Sequence, residues 1–279
     1  MKVECNEYIH FNNQQKINID MFSFLKSKPK TAIPTFASLG VDIHCHMLPG
    51  VDDGSKSNEE SLACLRVMHD AGFERVICTP HYQYPRFPNE ESDILQRYDN
   101  MLLDFKGMDA KGIPQMKGVA GEYRVDSGFA DRIKKEQFLL VGGKFLLTEF
   151  SLHQQVIGLD QVMFDLQMKN YEVILAHPER YPYYSSSSQA LQKLKDMGVY
   201  FQINILSLIG FYGEGSRRKA YEMIEKGWVE FLGTDMHNTL YAQALIDASH
   251  DKKVIKLLEK HKFLNSQVDS DQVIKTKTI

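Results

Sequence analysis

Two histidines flank a cysteine at His44-Cys45-His46, within a short apolar run that begins at Val41. Because side chains alternate along a strand, His44 and His46 are predicted to point to the same side. Two imidazoles at a strand end, with carboxylates in the next loop at Asp52-Asp53-Gly54, are suited to bind a metal ion. A lone histidine is more often a packed core residue, so the prediction depends on further ligands elsewhere in the chain.

Metal-type ligands also follow the later apolar runs of the chain. These residues are His81, Glu122, Glu149, His177, Asp235 and His237. In a parallel α/β barrel the C-terminal ends of the strands meet on one face, so residues distant in sequence come together. Converging imidazoles and carboxylates need cations to neutralise them. The set predicts two or three divalent ions that share bridging carboxylates, and mixed imidazole and carboxylate ligands fit Mn, Fe or Zn better than Ca or Mg.

Each later position also has a purely structural alternative. Glu149 could pair with a lysine, His177 could cap a turn before Pro178, and Asp235 could cap the helix that follows it. Random placement would scatter such residues over helices and loops. Their recurrence at strand ends favours the metal site.

Arginines near these positions indicate what such a site would act on. Arg180 lies three residues after His177, in the same predicted loop. Its planar guanidinium beside metal ions suits a pair of phosphate oxygens, while a salt bridge to Glu179 or Asp53 is the alternative. Arg124 is a second candidate for substrate binding. Clustered metal ions with an arginine favour hydrolysis of a phosphate ester.

The elements that position these residues alternate short apolar runs with amphipathic helical stretches. About seven such units with no linker favour a closed parallel barrel over two domains. An open doubly wound sheet is the alternative, but no Gly-rich dinucleotide or phosphate-loop motif supports it. Ser57 and Glu60 predict a capping box at the first helix. The predicted strands are 41–45, 75–79, 119–122, 145–149, 172–177, 200–204 and 229–235.

Composition and charge set further limits on the function. Of the 279 residues, 43% are hydrophobic, which is enough for a sizeable core. The net charge of −3 argues against a nucleic-acid partner. No apolar run has transmembrane length, so stable membrane insertion is not expected. The four cysteines show no CxxC pair and are predicted to be reduced, which favours a cytoplasmic protein.

Three regions are predicted along the chain. Residues 1–40 are polar, contain Pro29 and Pro34, and are predicted to be a partly disordered extension. Met21 could be the true start. Residues 41–264 form the predicted barrel, and residues 265–279 form a polar, frayed tail.

Several segments together carry a family resemblance. They are Asp42-Ile43-His44-Cys45-His46-Met47-Leu48-Pro49-Gly50-Val51-Asp52-Asp53-Gly54, Thr79-Pro80-His81, Gly121-Glu122, Glu149, Ala176-His177-Pro178-Glu179-Arg180 and Thr234-Asp235-Met236-His237. With these residues the chain resembles the PHP (polymerase and histidinol phosphatase) superfamily. It resembles more closely the bacterial capsular-polysaccharide type of metal-dependent protein-tyrosine phosphatase.

This resemblance implies a distorted (β/α)7 barrel and a trinuclear, often manganese-dependent, site. It implies that Arg180 contacts the phosphate and that Asp53 positions a ligand or donates a proton. The implied substrate is a tyrosine-phosphorylated bacterial tyrosine kinase that controls capsular or exopolysaccharide biosynthesis. The implied metal ligands are His44, His46, His81, Glu122, Glu149, His177, Asp235 and His237.

One feature departs from the resemblance, because relatives often carry an arginine shortly after the Asp-x-His pair. Here Asn238 follows His237 and no arginine comes next. Arg124 or Arg218 could take that place.

Other functions remain open from the sequence. They are a small-molecule phosphatase such as histidinol-phosphate phosphatase, a PHP-type nuclease and a non-catalytic binding module. A cysteine-based phosphatase is excluded, since none of the four cysteines has an arginine six positions later.

Overall fold

The computed structural model describes residues 34–184 and 188–268. The predictions for residues 1–33, including a start at Met21, lie outside the described residues, as does the predicted tail from 269 onward. Within the described part, the packed region begins before residue 41. Phe36 and Leu39 are buried, and the Phe36 ring stacks on Phe73 at 5.7 Å between centroids.

The described strands form two sheets in which every neighbouring pair is parallel. One sheet has the order β1-β2-β4, and the other has the order β3-β5-β6-β7-β8-β9. The strands are β1 (Val41–Asp42), β2 (Arg75–Cys78), β3 (His81–Tyr82), β4 (Gln115–Val119), β5 (Glu122–Arg124), β6 (Phe145–Glu149), β7 (Glu172–Ala176), β8 (Tyr200–Asn204) and β9 (Val229–Gly233). The predicted α/β class with parallel pairing is confirmed.

Helices connect these strands in the way that parallel neighbours require. The α-helices of the described residues are α1 (Asn58–Asp70), α2 (Glu91–Gly107), α3 (Phe129–Lys135), α4 (Leu159–Met168), α5 (Ser188–Asp196), α6 (Glu214–Glu225), α7 (Thr239–His250) and α8 (Lys252–Lys260). Ser57 caps α1 by accepting from the Glu60 N–H at 3.3 Å, as predicted. The Glu60 carboxylate, however, accepts from the Lys56 N–H rather than that of Ser57. Helix α7 was not predicted.

At two places where the sequence predicts one strand, the chain forms two strands that belong to different sheets. The strand β3 lies beyond the predicted end at residue 79. The run from Arg75 becomes β2 and then β3, and the run through Val119 becomes β4 and then β5. At each of these places the chain crosses from one sheet to the other. The Glu122 N–H donates to the Pro80 carbonyl at 3.0 Å, and this bond aligns the two crossings. A Cβ at Gly121 would lie 2.5 Å from the Tyr123 ring, so the second crossing requires glycine. His81 and Glu122 therefore begin the short strands β3 and β5.

The segment after β1 is joined to the segment after β9. The His46 N–H donates to the Met236 carbonyl and the Asp235 N–H donates to the His44 carbonyl, each at 2.8 Å. Cys45 and Met236 form an isolated parallel bridge. These bonds place the first and last predicted ligands side by side.

One apolar cluster draws on strands of both sheets. It includes Ile77 of β2, Leu147 of β6, Ile174 of β7 and Phe231 of β9. Cys45, Cys64 and Cys78 are buried free thiols, in agreement with the predicted reduced state of these three. No helix among residues 34–184 and 188–268 is both long enough and apolar enough to cross a bilayer.

Two residues of the predicted polar tail, Asn265 and Val268, are buried. Asn265 is fully buried, and its amide donates to the carbonyls of Val41 and Leu232 while its oxygen accepts from the Leu232 N–H. Val268 belongs to the apolar cluster. Polar composition suggested a frayed tail, but the Asn265 side chain satisfies backbone groups of β1 and β9.

Candidate metal centre

All eight predicted metal ligands lie together in one buried site. Their ligand atoms form four overlapping groups, and within each group the atoms lie within 4.8 Å of one another. The groups are His46, His81 and His237; His44, His46 and Glu122; His44, His177 and Asp235; and His81, Glu122 and Glu149. Such overlap means that one side chain can serve two neighbouring ion positions.

The strand ends place these ligands, and two of them have unusual backbone conformations. Glu149 is the last residue of β6, His177 follows β7 directly, and Asp235 lies two residues after β9. His177 has φ +37° and Asp235 has φ +50°, in the left-handed region that residues other than glycine rarely adopt. Strained backbone of this kind concentrates at functional sites, where packing and hydrogen bonds hold it.

The carboxylate of Glu122 lies at the middle of the cluster. Its Oε1 is 3.3 Å from His44 Nε2 and 3.0 Å from His177 Nε2, and its Oε2 is 3.4 Å from His46 Nε2 and 2.9 Å from His81 Nδ1. Burial favours the neutral acid, but His44 and His81 outweigh it and hold the pKa of Glu122 well below its ordinary value. Glu122 is therefore a charged group positioned to bridge ions.

Asp235 makes a second set of contacts at the same site. Its Oδ1 lies 3.3 Å from Nε2 of both His44 and His46 and 3.5 Å from His237 Nδ1. Its Oδ2 accepts from the Asn204 amide at 2.7 Å. Burial again opposes the charged form, yet His44 and His237 lower the pKa of Asp235 well below its ordinary value.

The arrangement of donor atoms fits a group of cations. Nε2 of His44 and Nε2 of His46 are 3.3 Å apart in a fully buried setting. His81 Nδ1 and Glu122 Oε2 are buried and make no hydrogen bond, although they lie 2.9 Å apart. Buried polar atoms without hydrogen bonds are rare and call for an explanation. Cations bound among these atoms would account for the missing hydrogen bonds. Imidazole and carboxylate ligands together suit Mn, Fe or Zn.

Residues outside the ligand set hold the imidazoles in place. Gln202 Oε1 lies 2.7 Å from His44 Nδ1, and Asp52 Oδ2 lies 2.8 Å from His46 Nδ1. Each contact turns the Nε2 of its imidazole toward the centre. Neither Gln202 nor Asp52 was predicted as a site residue. Polar Gln202 and Asn204 alternate along the apolar strand β8, and that alternation was the available signal.

The two predicted substrate-binding arginines lie beside carboxylates of the ligand set. Arg180 donates from Nη1 to Asp235 Oδ2 at 3.0 Å, and its guanidinium carbon lies 4.2 Å from the centre of the Tyr212 ring. Arg124 donates to both oxygens of Glu149, at 3.2 and 3.3 Å. The alternative salt bridge from Arg180 to Glu179 or Asp53 is not the contact observed, since its carboxylate partner is Asp235.

Asp53, the other predicted catalytic residue, lies at the outer side of the centre. Its Oδ1 is 3.4 Å from His81 Nε2 and 3.7 Å from His237 Nε2. Arg218, offered as a substitute for the arginine missing after His237, lies exposed on α6. No contact within the described residues joins Arg218 to the centre.

Parallel strands with helical connections, and a buried set of imidazoles and carboxylates at the strand ends, define an α/β protein with a candidate polynuclear metal centre. A family model described as "Capsular polysaccharide synthesis, CpsB/CapC" matches residues 40–262. The chain belongs to this family. The predicted resemblance to the bacterial capsular-polysaccharide type is thereby confirmed.

The chain is similar to several bacterial tyrosine-protein phosphatases. It is 29% identical to tyrosine-protein phosphatase YwqE of Bacillus subtilis over 199 residues, which cover 71% of this chain and 77% of the relative. It is 28% identical to a putative tyrosine-protein phosphatase CapC of Staphylococcus aureus, with 71% and 77% covered. It is also 28% identical to tyrosine-protein phosphatase CpsB of Streptococcus pneumoniae, with 71% and 83% covered.

A solved structure supports the fold. The fold matches a structure from work on YwqE of Bacillus subtilis and CpsB of Streptococcus pneumoniae, described as unique metal-dependent tyrosine phosphatases, with a TM-score of 0.68. The match has 24% identity and covers 84% of this chain and 96% of that chain.

Proposed function

We propose that this protein is a metal-dependent protein-tyrosine phosphatase. The observation that carries the proposal is the convergence of eight imidazole and carboxylate ligands around Glu122, with two arginines on neighbouring carboxylates. Relatives named tyrosine-protein phosphatases support the same reaction. The substrate proposed is phosphotyrosine on a bacterial tyrosine kinase that controls capsular or exopolysaccharide biosynthesis, as the family description suggests.

The eight clustered residues would hold two or three divalent ions, with Mn first and Fe or Zn as alternatives. Glu122 and Asp235 each face several imidazoles and are the carboxylates best placed to be shared between ions. Ions bound there would lower the pKa of a water molecule and neutralise charge on the phosphoryl oxygens.

The arginines and Asp53 would act on the substrate itself. The described hydrogen bond of Arg180 uses one of its five N–H donors, so other N–H groups can bind phosphoryl oxygens. Arg124 would offer a second guanidinium from the Glu149 side. Asp53 lies near the outer nitrogens of His81 and His237, and in its protonated form it would hand a proton to the leaving oxygen.

The leaving group explains the proposed preference for tyrosine. A phenol has a pKa near 10 and departs with little help from an acid, whereas a serine alkoxide needs a proton. If the partly exposed carboxylate of Asp53 is the only acid, aryl phosphates should be hydrolysed faster than alkyl phosphates. The reaction would take place in the cytoplasm, where the kinase uses ATP.

We also propose that the two sheets form one distorted (β/α)7 barrel. The bridge between Cys45 and Met236 joins the segments after the first and last strands, which supports such closure. The barrel would extend from residue 36 to residue 268, since Phe36 and Val268 are buried.

A substrate comparison tests the proposed function. Metal-loaded protein is given matched phosphotyrosine and phosphoserine peptides, an aryl phosphate and histidinol phosphate. We expect the phosphotyrosine peptide and the aryl phosphate to be hydrolysed fastest. A preference for phosphoserine would contradict the assigned specificity, and faster turnover of histidinol phosphate would favour a small-molecule phosphatase.

A further inference from the structure

A third arginine, Arg86, lies at the outer face of the candidate metal centre. It belongs to the loop after β3, where the Gln83 N–H donates to the Phe87 carbonyl and the Phe87 N–H donates back to the Gln83 carbonyl. The Phe87 ring stacks on the His81 imidazole at 5.6 Å with an interplanar angle of 5°. The guanidinium carbon of Arg86 lies 4.8 Å from the centre of the same ring. This packing holds the loop that carries Arg86 beside a predicted metal ligand.

A single carboxylate separates Arg86 from two predicted ligands. Nη2 of Arg86 lies 3.3 Å from Asp53 Oδ2, and the other oxygen of Asp53 lies 3.4 Å from His81 Nε2 and 3.7 Å from His237 Nε2. A phosphoryl group that reached the outer nitrogens of His81 and His237 would therefore come within reach of the Arg86 guanidinium.

Exposure distinguishes Arg86 from the two arginines predicted from the sequence. The side chains of Arg124 and Arg180 are 17% and 16% exposed and contact the almost fully buried carboxylates of Glu149 and Asp235. The side chain of Arg86 is 45% exposed, and its partner Asp53 is 38% exposed. A half-exposed ion pair in water contributes little energy, so breaking the contact between Arg86 and Asp53 costs little.

We propose that Arg86 is a substrate-binding residue that contacts the phosphoryl group from the solvent side of the centre. On substrate binding its guanidinium turns from Asp53 to the phosphoryl oxygens, which carry more negative charge than one carboxylate and accept two parallel N–H bonds. Arg124, Arg180 and Arg86 then each provide a guanidinium to the same phosphate. This inference rests on the proposed function, because it names a further phosphate contact of the same site.

Removing the guanidinium tests the proposal. Arg86→Ala and Arg86→Lys are compared with Arg97→Ala, a control at an exposed position on α2. In metal-loaded protein, Arg86→Ala should raise the KM for a phosphotyrosine peptide and weaken inhibition by inorganic phosphate about 10- to 100-fold. Arg86→Lys should recover only part of the loss, since an ammonium lacks the planar fork. Arg97→Ala should behave as wild type.

Two further readouts separate the possible outcomes. Metal content and melting temperature should not change in Arg86→Ala, and a loss of either would show a structural role and overturn the proposal. Wild-type affinity for both peptide and phosphate in Arg86→Ala would overturn it as well. If the wild-type protein hydrolyses no phosphotyrosine, the proposed function fails, while calorimetric titration with inorganic phosphate still decides whether Arg86 binds the anion.

Discussion

Replacing Asp52 with asparagine should weaken metal binding while leaving every predicted ligand in the chain. The buried carboxylate of Asp52 contacts His46 Nδ1 at 2.8 Å and accepts from the N–H groups of His81 at 3.0 Å and Gly54 at 2.8 Å. Burial raises its pKa, but His46, His81 and His237 outweigh burial and lower it. Asp52 is therefore charged at neutral pH. It orients the His46 imidazole and holds the backbone at His81 in place.

The size of the effect follows from the three contacts of Asp52. Asparagine has one acceptor oxygen, so in either amide orientation at least one of the N–H groups of Gly54 and His81 faces an NH2 group. Leaving a buried donor unsatisfied costs about 1–3 kcal/mol. Losing the outer partner of a metal-binding histidine lowers metal affinity about 10- to 100-fold. Asp52→Asn should therefore lower both folding stability and metal affinity.

Asp126 offers a matched control for this experiment. Its carboxylate accepts from the N–H groups of Gly128 at 2.8 Å and Tyr84 at 2.7 Å, but no described contact joins it to a predicted ligand. Metal affinity is measured by competition with a chromophoric chelator, and urea unfolding in excess EDTA reports stability without metal. If Asp52→Asn binds metal as wild type does, or Asp126→Asn loses as much affinity, the positioning role of Asp52 is refuted.

Two further substitutions test how the site and its surroundings are built. Gly54→Ala would make a Cβ clash with the His46 carbonyl oxygen, and we expect it to lower the free energy of unfolding by about 1–3 kcal/mol and to reduce metal content. Gly50→Ala is its control in the same loop: Gly50 has φ +69°, so alanine strains the backbone there, but nothing lies within 4 Å of the new atom. An equal loss of metal in both variants would contradict the steric account. Asn265→Ala removes three hydrogen bonds and should cost about 2–4 kcal/mol in urea unfolding, whereas unchanged stability would mean that this region does not support the sheets.

The ligand cluster could be predicted from the sequence because parallel strands end on one face. Glu149 and His177 are far apart in the chain, yet Glu149 ends β6 and His177 follows β7 directly, and the structure brings both to the same cluster as Glu122. Residue type and position along a strand were sufficient for this step.

The division into two sheets could not be predicted in the same way. The apolar runs that end at His81 and Glu122 each read as one strand, since periodicity does not show where a chain leaves one sheet for another. Pro80 and Gly121 mark the crossings, but the need for glycine depends on the Tyr123 ring, which only the folded chain places beside it.

Helix α7 and the supporting polar residues were missed for related reasons. Buried Ala242, Ala244 and Ala248 give α7 a weak apolar pattern, because small residues contribute little to periodicity. Gln202 acquires a role only through its contact with His44, which is distant in the sequence. Such partners are set by tertiary structure.

Metal stoichiometry and turnover, measured on the same sample, show whether the eight clustered residues bind metal ions on which hydrolysis depends. The protein is stripped with EDTA, reloaded with one metal at a time, and assayed on a phosphotyrosine peptide while bound metal per chain is counted. A His44→Ala and His46→Ala double variant serves as the comparison. We predict that turnover returns only with two or three bound ions in the wild-type chain and that the double variant regains neither metal nor activity. Full turnover by the metal-free protein would show that hydrolysis does not depend on metal ions at this site.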